Sequence, residues 1–329
     1  MTDPAAPPAE DDPSSPAARA ADPFLADVVR GLGRRPRSVP SKYFYDERGS
    51  ELFDRITRLD AYYPTRTERS ILETHADALV DAIGKDSALV EYGSGSSDKT
   101  RILLDALHAR RTLAAYVPID ISEEYLLATA ERLRAAYPGL PVLPVAADYT
   151  RPFALPELPP ETTRRVVFFP GSTIGNFTPD EAERFLAQMG AVAGPGGAVL
   201  LGVDQKKDAA VLEAAYDDPE GVTAAFNLNL LRRMNRELGA DADPDAWAHE
   251  ARWNPAEGRV EMHLRSLRDQ TLRVGGRPFS FRAGETVHTE NSYKYGPDGL
   301  AAVAGRAGLR RTGRWTDPQG WFAVELYTP

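Results

Sequence analysis

The chain has 329 residues, a formal net charge of −9, no cysteine and five histidines without paired ligand spacing, which excludes disulfides and thiol chemistry and leaves no metal site to expect. The acidic balance argues against a nucleic-acid partner, whose phosphates call for a basic face, and the length predicts one large or two interleaved domains. Neither an apolar run of about 18 residues nor a basic start followed by an apolar core occurs, so no membrane span or secretory signal is expected and the location read from the sequence is cytoplasmic.

Residues 1–20 are rich in Pro, Ala, Ser and acidic side chains without apolar periodicity, which predicts a disordered tail. Helical apolar spacing follows from Pro23 to Leu32. The segments Ser41-Lys42-Tyr43-Phe44-Tyr45-Asp46, Gly49-Ser50-Glu51-Leu52-Phe53-Asp54-Arg55-Ile56 and Ala61-Tyr62-Tyr63-Pro64-Thr65-Arg66-Thr67-Glu68 are aromatic-rich. Their tyrosines suit plain core packing, or a lid or substrate layer, because a phenol joins an apolar body to a polar handle. Helix and strand then alternate in the manner of a parallel sheet. A helix is expected over 68–83, a strand over 88–92, a helix over 98–108, a strand over 115–120, and a helix over 123–136 capped by Ser122 and ended before Pro138. A third strand is expected over 141–149, a fourth over 165–169, a helix from Pro179 and a fifth strand over 198–204. Beyond Asp204 the rhythm changes to a long helical stretch that holds Tyr216 and residues 227–238, followed by strand-like segments at 259–267, 270–274 and 285–291. A helix over 297–307 and two strands, 309–315 and 321–327, restore the first pattern. The expected fold is α/β, a Rossmann-like sheet closed by a hairpin, with an inserted second domain of mixed α+β character.

Most of the chemistry lies in Leu89-Val90-Glu91-Tyr92-Gly93-Ser94-Gly95-Ser96-Ser97-Asp98-Lys99-Thr100, an apolar run that stops at a Gly-Ser-Gly turn and restarts as a helix. Two glycines let the backbone pass close to a ligand, and a helix beginning near Ser97 offers free N–H groups. A second apolar run, Ala115-Tyr116-Val117-Pro118-Ile119-Asp120, ends in a carboxylate placed to take a ribose diol. A dinucleotide fingerprint wants a third glycine where this chain has Asp98, and an acid at a phosphate-binding helix start is repulsive. The turn therefore suits a cofactor with ribose and adenine but no phosphate. S-adenosylmethionine is such a molecule, and its cationic groups tolerate the carboxylates of Glu91, Asp120 and Asp148.

With these segments in place the sequence closely resembles the L-histidine Nα-methyltransferases of ergothioneine biosynthesis, within the wider histidine-specific methyltransferase family. The resemblance covers nearly all of residues 25–329. It rests on the aromatic segments above, the Glu91–Thr100 turn, Gly171-Ser172-Thr173-Ile174-Gly175-Asn176, Tyr216-Asp217-Asp218 with Gly221-Val222-Thr223-Ala224-Ala225-Phe226-Asn227, and Thr289-Glu290-Asn291-Ser292-Tyr293-Lys294-Tyr295. It implies a class I methyltransferase sheet and the transfer of three methyl groups, one after another, from S-adenosylmethionine to the α-amine of histidine, giving hercynine. It also implies cofactor contacts at Gly93, Lys99, Asp120, Asp148 and Tyr149, with Asp120 on the ribose hydroxyls and Asp148 and Tyr149 at the adenine. Asn176 and Tyr216 would hold the substrate carboxylate and the region of its amine. Tyr62, Glu290 and Ser292 would meet the imidazole, with Asn291 between the last two, and Met262 would line the ring pocket. Gly171, Thr173, Tyr45 and Phe53 fall near the amine. Tyr45, Asn176 and Tyr216 form the expected catalytic set; the proton acceptor is either Tyr45 through water or solvent itself, and the sequence assigns no base. Tyr149 stands where phenylalanine is common, and Asn291 is a second departure from familiar bacterial members.

The resemblance divides the chain into a substrate-binding part, 21–67 with 205–294, and a cofactor-binding part, 68–204 with 295–329. It implies a monomer acting on free L-histidine, with no nucleic-acid or membrane partner. Three other readings compete. A methyltransferase of the same fold acting on another aromatic amino acid such as tryptophan is opposed by Glu290 with Met262, and a nicotinamide-dependent dehydrogenase is opposed by Asp98. A regulatory protein that binds S-adenosylmethionine without catalysis leaves Asn176, Tyr216 and Glu290 without purpose.

Overall fold

A computed structural model describes residues 22–95, 97 and 99–329, so the expected tail and Asp98 lie outside the described residues. In chain order its strands are β1 (Arg37–Ser38), β2 (Ser87–Tyr92), β3 (Leu113–Asp120), β4 (Val145–Ala146), β5 (Arg164–Phe169), β6 (Ala198–Asp204), β7 (Trp247–Asn254), β8 (Arg259–Ser266), β9 (Gln270–Val274), β10 (Arg277–Phe281), β11 (Thr286–Tyr293), β12 (Arg310–Thr316) and β13 (Phe322–Thr328). Strands buried on both faces read as unbroken apolar runs, and such runs build the main sheet. Its order is β12-β13-β6-β5-β2-β3-β4, parallel from β6 to β4, with β13 antiparallel to β6 and β12 antiparallel to β13. Successive side chains face opposite ways. Val90, Tyr92, Val117, Ile119, Val167, Phe169, Val199 and Leu201 enter one core, while Leu89, Tyr116, Val166, Phe168, Ala198 and Leu200 enter the other. The Rossmann-like α/β architecture expected from the sequence is therefore the one found.

The described chain divides into two compact units. The sheet-bearing unit comprises 57–215, 253–260 and 291–329, and the other comprises the preceding residues to 56 with 216–252 and 261–290. The division differs from the expected boundaries at 57–67, 205–215, 253–260 and 291–294, all of which fall with the main sheet. The smaller unit contains the helix Pro23–Leu32, which buries Phe24, Val28, Gly31 and Leu32 along one stripe, and the helices Glu47–Ile56 and Val222–Leu238. A second sheet has the order β1-β11-β8-β7, and β9 and β10 form a separate antiparallel hairpin. Among the described residues no helix is long and apolar enough to cross a membrane.

Several elements differ from their sequence expectation for local reasons. The helix expected over 68–83 is two, Tyr63–Thr74 and Ala76–Ile83, because His75 leaves helical geometry at φ −111° and ψ 17°. The long helical stretch after Asp204 is likewise two helices, Ala209–Tyr216 and Val222–Leu238, parted at Gly221 with φ +70°. The third strand shrinks to β4, with an isolated bridge from Val142 to Tyr116. Ser122 makes no side-chain cap; its amide donates instead to Asp120 Oδ1 at 3.0 Å. Strands β7 and β10 were not expected, since their burial does not alternate.

Gly31 marks a close approach of backbones in the smaller unit. A Cβ there would lie 1.9 Å from the carbonyl oxygen of Ser38, which cannot turn aside as a side chain could. Gly31→Ala is expected to destabilise the fold by about 1–3 kcal/mol, read as a lower urea midpoint at unchanged slope. A midpoint equal to that of the wild type would show that β1 yields freely.

Candidate active site

The carboxyl end of β2 lies where the strand order reverses, with β3 on one side and β5 on the other, and ligands of open α/β sheets bind at such points. Gly93, at φ +68°, turns the chain so that its own amide and that of Ser94 both donate to the Ile119 carbonyl, at 2.8 and 3.2 Å. Gly95 then donates to Asp120 Oδ2 at 3.1 Å. With Ser122 on the other oxygen, Asp120 is fixed at both ends of its carboxylate while each oxygen keeps a further lone pair. That arrangement fits the diol of a ribose. The helix expected from near Ser97 begins at Thr100, because Ser97 is left-handed at φ +57°. Its free amides are thus one turn further from the glycines than the sequence suggested.

Tyr149 covers this turn. Its ring stacks on Tyr92 at 5.5 Å, and its hydroxyl lies 3.5 Å from where a Cβ on Gly93 would be. Burial pushes the Tyr149 hydroxyl well above its ordinary range, and the charges of Asp120 and Asp148 add to the rise. Asp148 accepts from the Thr150 amide at 3.0 Å and faces Arg151 at 3.7 Å. Gly93, Asp120, Asp148 and Tyr149 are therefore gathered around one strand end.

Lys99 is held differently. It donates to Glu68 Oε2, and Glu68, fully buried, also accepts from the Gly171 amide at 2.9 and 3.0 Å. A Cβ on Gly202 would lie 1.9 Å from Glu68 Oε1, so only glycine leaves room for this carboxylate. Glu68 was visible in the sequence only as part of a motif, with no signal for its partners. The loop it anchors carries Gly171 at φ +77° and Thr173, whose hydroxyl donates to the Pro170 carbonyl at 2.9 Å. The loop closes in the 3-10 turn Thr173–Asn176. Gly175 packs on the backbone of Tyr293, where a Cβ would meet the carbonyl oxygen at 2.7 Å. The loop bearing Gly171, Thr173 and Asn176 is thereby brought to the end of β11 that bears Asn291 and Ser292. Asn291 Oδ1 is buried with no hydrogen-bond partner among the described residues, and Ser292 Oγ accepts from Lys294 at 2.9 Å. Tyr62 is buried in the same unit, with its amide on the Leu59 carbonyl at 3.1 Å.

Tyr45, Phe53, Tyr216, Met262 and Glu290 belong to the other unit. Tyr45 meets Phe53 edge-on at 5.6 Å and Phe226 at 5.7 Å. The Tyr216 carbonyl is held by His249 Nε2 at 2.8 Å, which makes that nitrogen the donor and Nδ1 the acceptor for Asn227 Nδ2 at 2.9 Å. Burial lowers the pKa of His249, partly offset by the Tyr216 carbonyl, and so favours the neutral ring. Asn227 Oδ1 in turn accepts from Thr289 Oγ1 at 2.9 Å, and that hydroxyl also reaches the carbonyl of Met262 at 3.0 Å. His249 and Asn227 thus tie the backbone at Tyr216 to β8 and β11. The sequence marked neither for this role, since a lone histidine carries no positional signal.

A second buried carboxylate lies under the strand-end turn. Burial pushes the Glu91 carboxyl up to about 7, against hydrogen bonds from Thr100 Oγ1 at 2.6 Å and from the Tyr116 hydroxyl and the attraction of Lys99. A carboxyl raised in the folded state contributes stability below its unfolded value of 4.5 that is lost as pH rises through about 7. Glu91→Gln cannot ionise. Its melting temperature relative to the wild type should therefore rise between pH 5 and pH 8, and a gap independent of pH would contradict the assignment.

Comparison with known proteins adds the following. Residues 24–329 match the model of a family described as histidine-specific methyltransferase, SAM-dependent. The chain is 48% identical over 302 residues to a histidine N-alpha-methyltransferase of Mycobacterium tuberculosis (strain CDC 1551 / Oshkosh), covering 91% of this chain and 93% of that protein. It is 46% identical over 309 residues to a protein of the same name from Mycolicibacterium smegmatis (strain ATCC 700084 / mc(2)155), covering 93% and 95%. It is also 31% identical over 285 residues to ergothioneine biosynthesis protein 1 of Neurospora crassa, covering 85% of this chain and 32% of that longer protein.

Proposed function

The chain belongs to the histidine-specific, S-adenosylmethionine-dependent methyltransferase family, and from that premise we propose that it methylates the α-amine of L-histidine three times, giving hercynine for ergothioneine synthesis. The donor supplies a methyl group already activated on a cationic sulfonium, so the protein's task is alignment and exclusion of water. Asp120 takes the ribose hydroxyls on the lone pairs that Gly95 and Ser122 leave unused. Asp148 and Tyr149 hold the adenine, with Gly93 giving room and Lys99 set by Glu68. Asn176 and Tyr216 anchor the substrate carboxylate, which stays constant while the amine grows in bulk. Gly171, Thr173 and Phe53 shape the space around the amine, and the Tyr45 hydroxyl relays its proton to water.

The observation that carries the histidine reading is the polar run on β11. Its burial alternates up to Thr289 and then breaks at Glu290 and Asn291, where the Asn291 Oδ1 acceptor is buried and unpaired among the described residues. Glu290 accepts from one imidazole N–H, Ser292 bonds the other nitrogen, Asn291 lies between them, and Tyr62 and Met262 bound the ring. In this reading the protein is a cytoplasmic monomer with a free amino acid as substrate, and the net charge of −9 supports a small molecule over a nucleic acid.

Mass spectrometry of L-histidine incubated with the protein and S-adenosylmethionine is expected to give increments of one, two and three methyl groups; methylation of tryptophan but not histidine would overturn the reading. Asp120→Ala should weaken the cofactor by roughly 10- to 150-fold in calorimetric titration, the scale of a lost charged contact. Near-native affinity would place the ribose elsewhere. Glu290→Ala should lower kcat/KM for histidine at least about 10-fold, raise the relative use of tryptophan or phenylalanine, and leave cofactor affinity unchanged. Unaltered preference across a panel of amino acids would remove Glu290 from the ring.

A further inference from the structure

Adenine carries two kinds of polar atom, and the carboxylates at the strand-end turn suit only one of them. Its exocyclic amine has hydrogens to give, whereas its ring nitrogens N1, N3 and N7 have lone pairs and no hydrogen. An ionised carboxylate accepts and cannot donate. Asp120 and Asp148 can therefore serve the ribose hydroxyls and the amine, but neither can serve a ring nitrogen. A ring nitrogen that leaves water without meeting a donor loses its hydrogen bond unreplaced, which is unfavourable.

Tyr149 supplies a donor at this place. Its ring is gripped by the aromatic cluster below the turn, stacked on Tyr92 at 5.5 Å, edge-on to Phe169 at 5.7 Å and tilted against Phe185 at 5.9 Å. Phe177 stacks on the far partner, Phe185, at 4.7 Å. The backbone is fastened as well, since the Tyr149 carbonyl accepts from Gln188 Nε2 at 3.2 Å. These contacts fix the direction of the phenol and bring its oxygen to Gly93, 3.5 Å from where a Cβ would stand. Tyr149 is half-buried, and its hydroxyl makes no hydrogen bond among the described residues. Burial, with the charges of Asp120 and Asp148 added to it, holds the proton on this oxygen. We propose that the Tyr149 hydroxyl is a specificity-determining group that donates a hydrogen bond to a ring nitrogen of the cofactor's adenine. This rests on the reading of Asp120 and Asp148 as contacts of the same adenosyl group. The adenine is identical in S-adenosylmethionine and in S-adenosylhomocysteine, so the contact shows in binding of either one.

The test measures binding of S-adenosylhomocysteine and of its 1-deaza, 3-deaza and 7-deaza analogues to the full chain and to Tyr149→Phe by calorimetry. The substitution keeps the ring on Tyr92 and removes only the oxygen. Tyr149→Phe is expected to bind S-adenosylhomocysteine at least roughly fivefold more weakly than the wild type. In each analogue one ring nitrogen is replaced by C–H. For at least one of them the wild type should lose at least roughly fivefold against the parent, and that loss should vanish in Tyr149→Phe, because hydroxyl and nitrogen are the two halves of one contact. A substitution that only loosened the aromatic cluster would weaken all four ligands alike. Ratios of analogue to parent that are the same in both proteins for all three analogues, or an unchanged affinity of Tyr149→Phe for S-adenosylhomocysteine, would overturn the proposal. Failure of the underlying reading is separate, because it appears as near-native cofactor affinity in Asp120→Ala, whereas failure here leaves the Asp120→Ala loss intact.

Discussion

The reversal of strand order at β2 is the constraint on which the chemistry of the sheet-bearing unit depends. The chain leaves β2 for β3 on one side and returns after β4 to β5 on the other, so the backbone at the carboxyl end of β2 is bare on both sides. On one side Gly93 and Ser94 are tied to the Ile119 carbonyl and Gly95 to Asp120, which points a fixed carboxylate at the opening. On the other side the chain after β5 is held by the Gly171 amide on Glu68. One topological feature thus sets both the residues proposed to hold the cofactor and the loop that carries Gly171, Thr173 and Asn176.

Three buried carboxylates beneath this opening are satisfied in three ways, and the differences have chemical consequences. Burying an unpaired ion costs several kcal/mol, so each must find hydrogens close by. Glu68 takes one ammonium and one backbone amide, and so links Lys99 to the Gly171 turn. Glu91 takes hydroxyls from Thr100 and Tyr116, which solvate it only in part, and its proton affinity rises in response. Asp204 takes two ammonium groups and a phenol, which immobilises Lys294 against Ser292. Through the Asp204 amide and Ser172, and through Gly175 on the Tyr293 backbone, the same loop is fixed to β11. Groups prepositioned in this way need little reorganisation when a substrate arrives, which is how a protein without a nucleophile of its own favours a displacement.

In the smaller unit the corresponding device is neutral. His249 donates to the Tyr216 carbonyl and accepts from Asn227, and Asn227 accepts from Thr289. A ring with one donor and one acceptor nitrogen suits this chain of hydrogen bonds only in one tautomer, and burial keeps it there. The backbone at Tyr216 is held to the strands of Met262 and Glu290 without any net charge being buried.

What the sequence determined by itself was whatever local pattern can encode. Apolar runs that alternate into two cores specified the parallel strands, and the bounds of the helices Pro23–Leu32 and Glu123–Ala136 and of β6 follow from periodicity and flanking residues. The glycine turn and the acid ending β3 were legible because strand, turn and carboxylate are each local signals. What only the tertiary structure decided were the pairings. Strands β7 and β10 lack alternation and exist through their partners, β4 is cut short, and the helix expected to run through His75 is broken there. Glu68 with Lys99, His249 with Tyr216 and Lys294 with Asp204 join residues far apart in the chain. A side chain's residue type limits what it can donate or accept, but which partner it meets is set by how distant segments pack, and packing at long range leaves no trace in local periodicity.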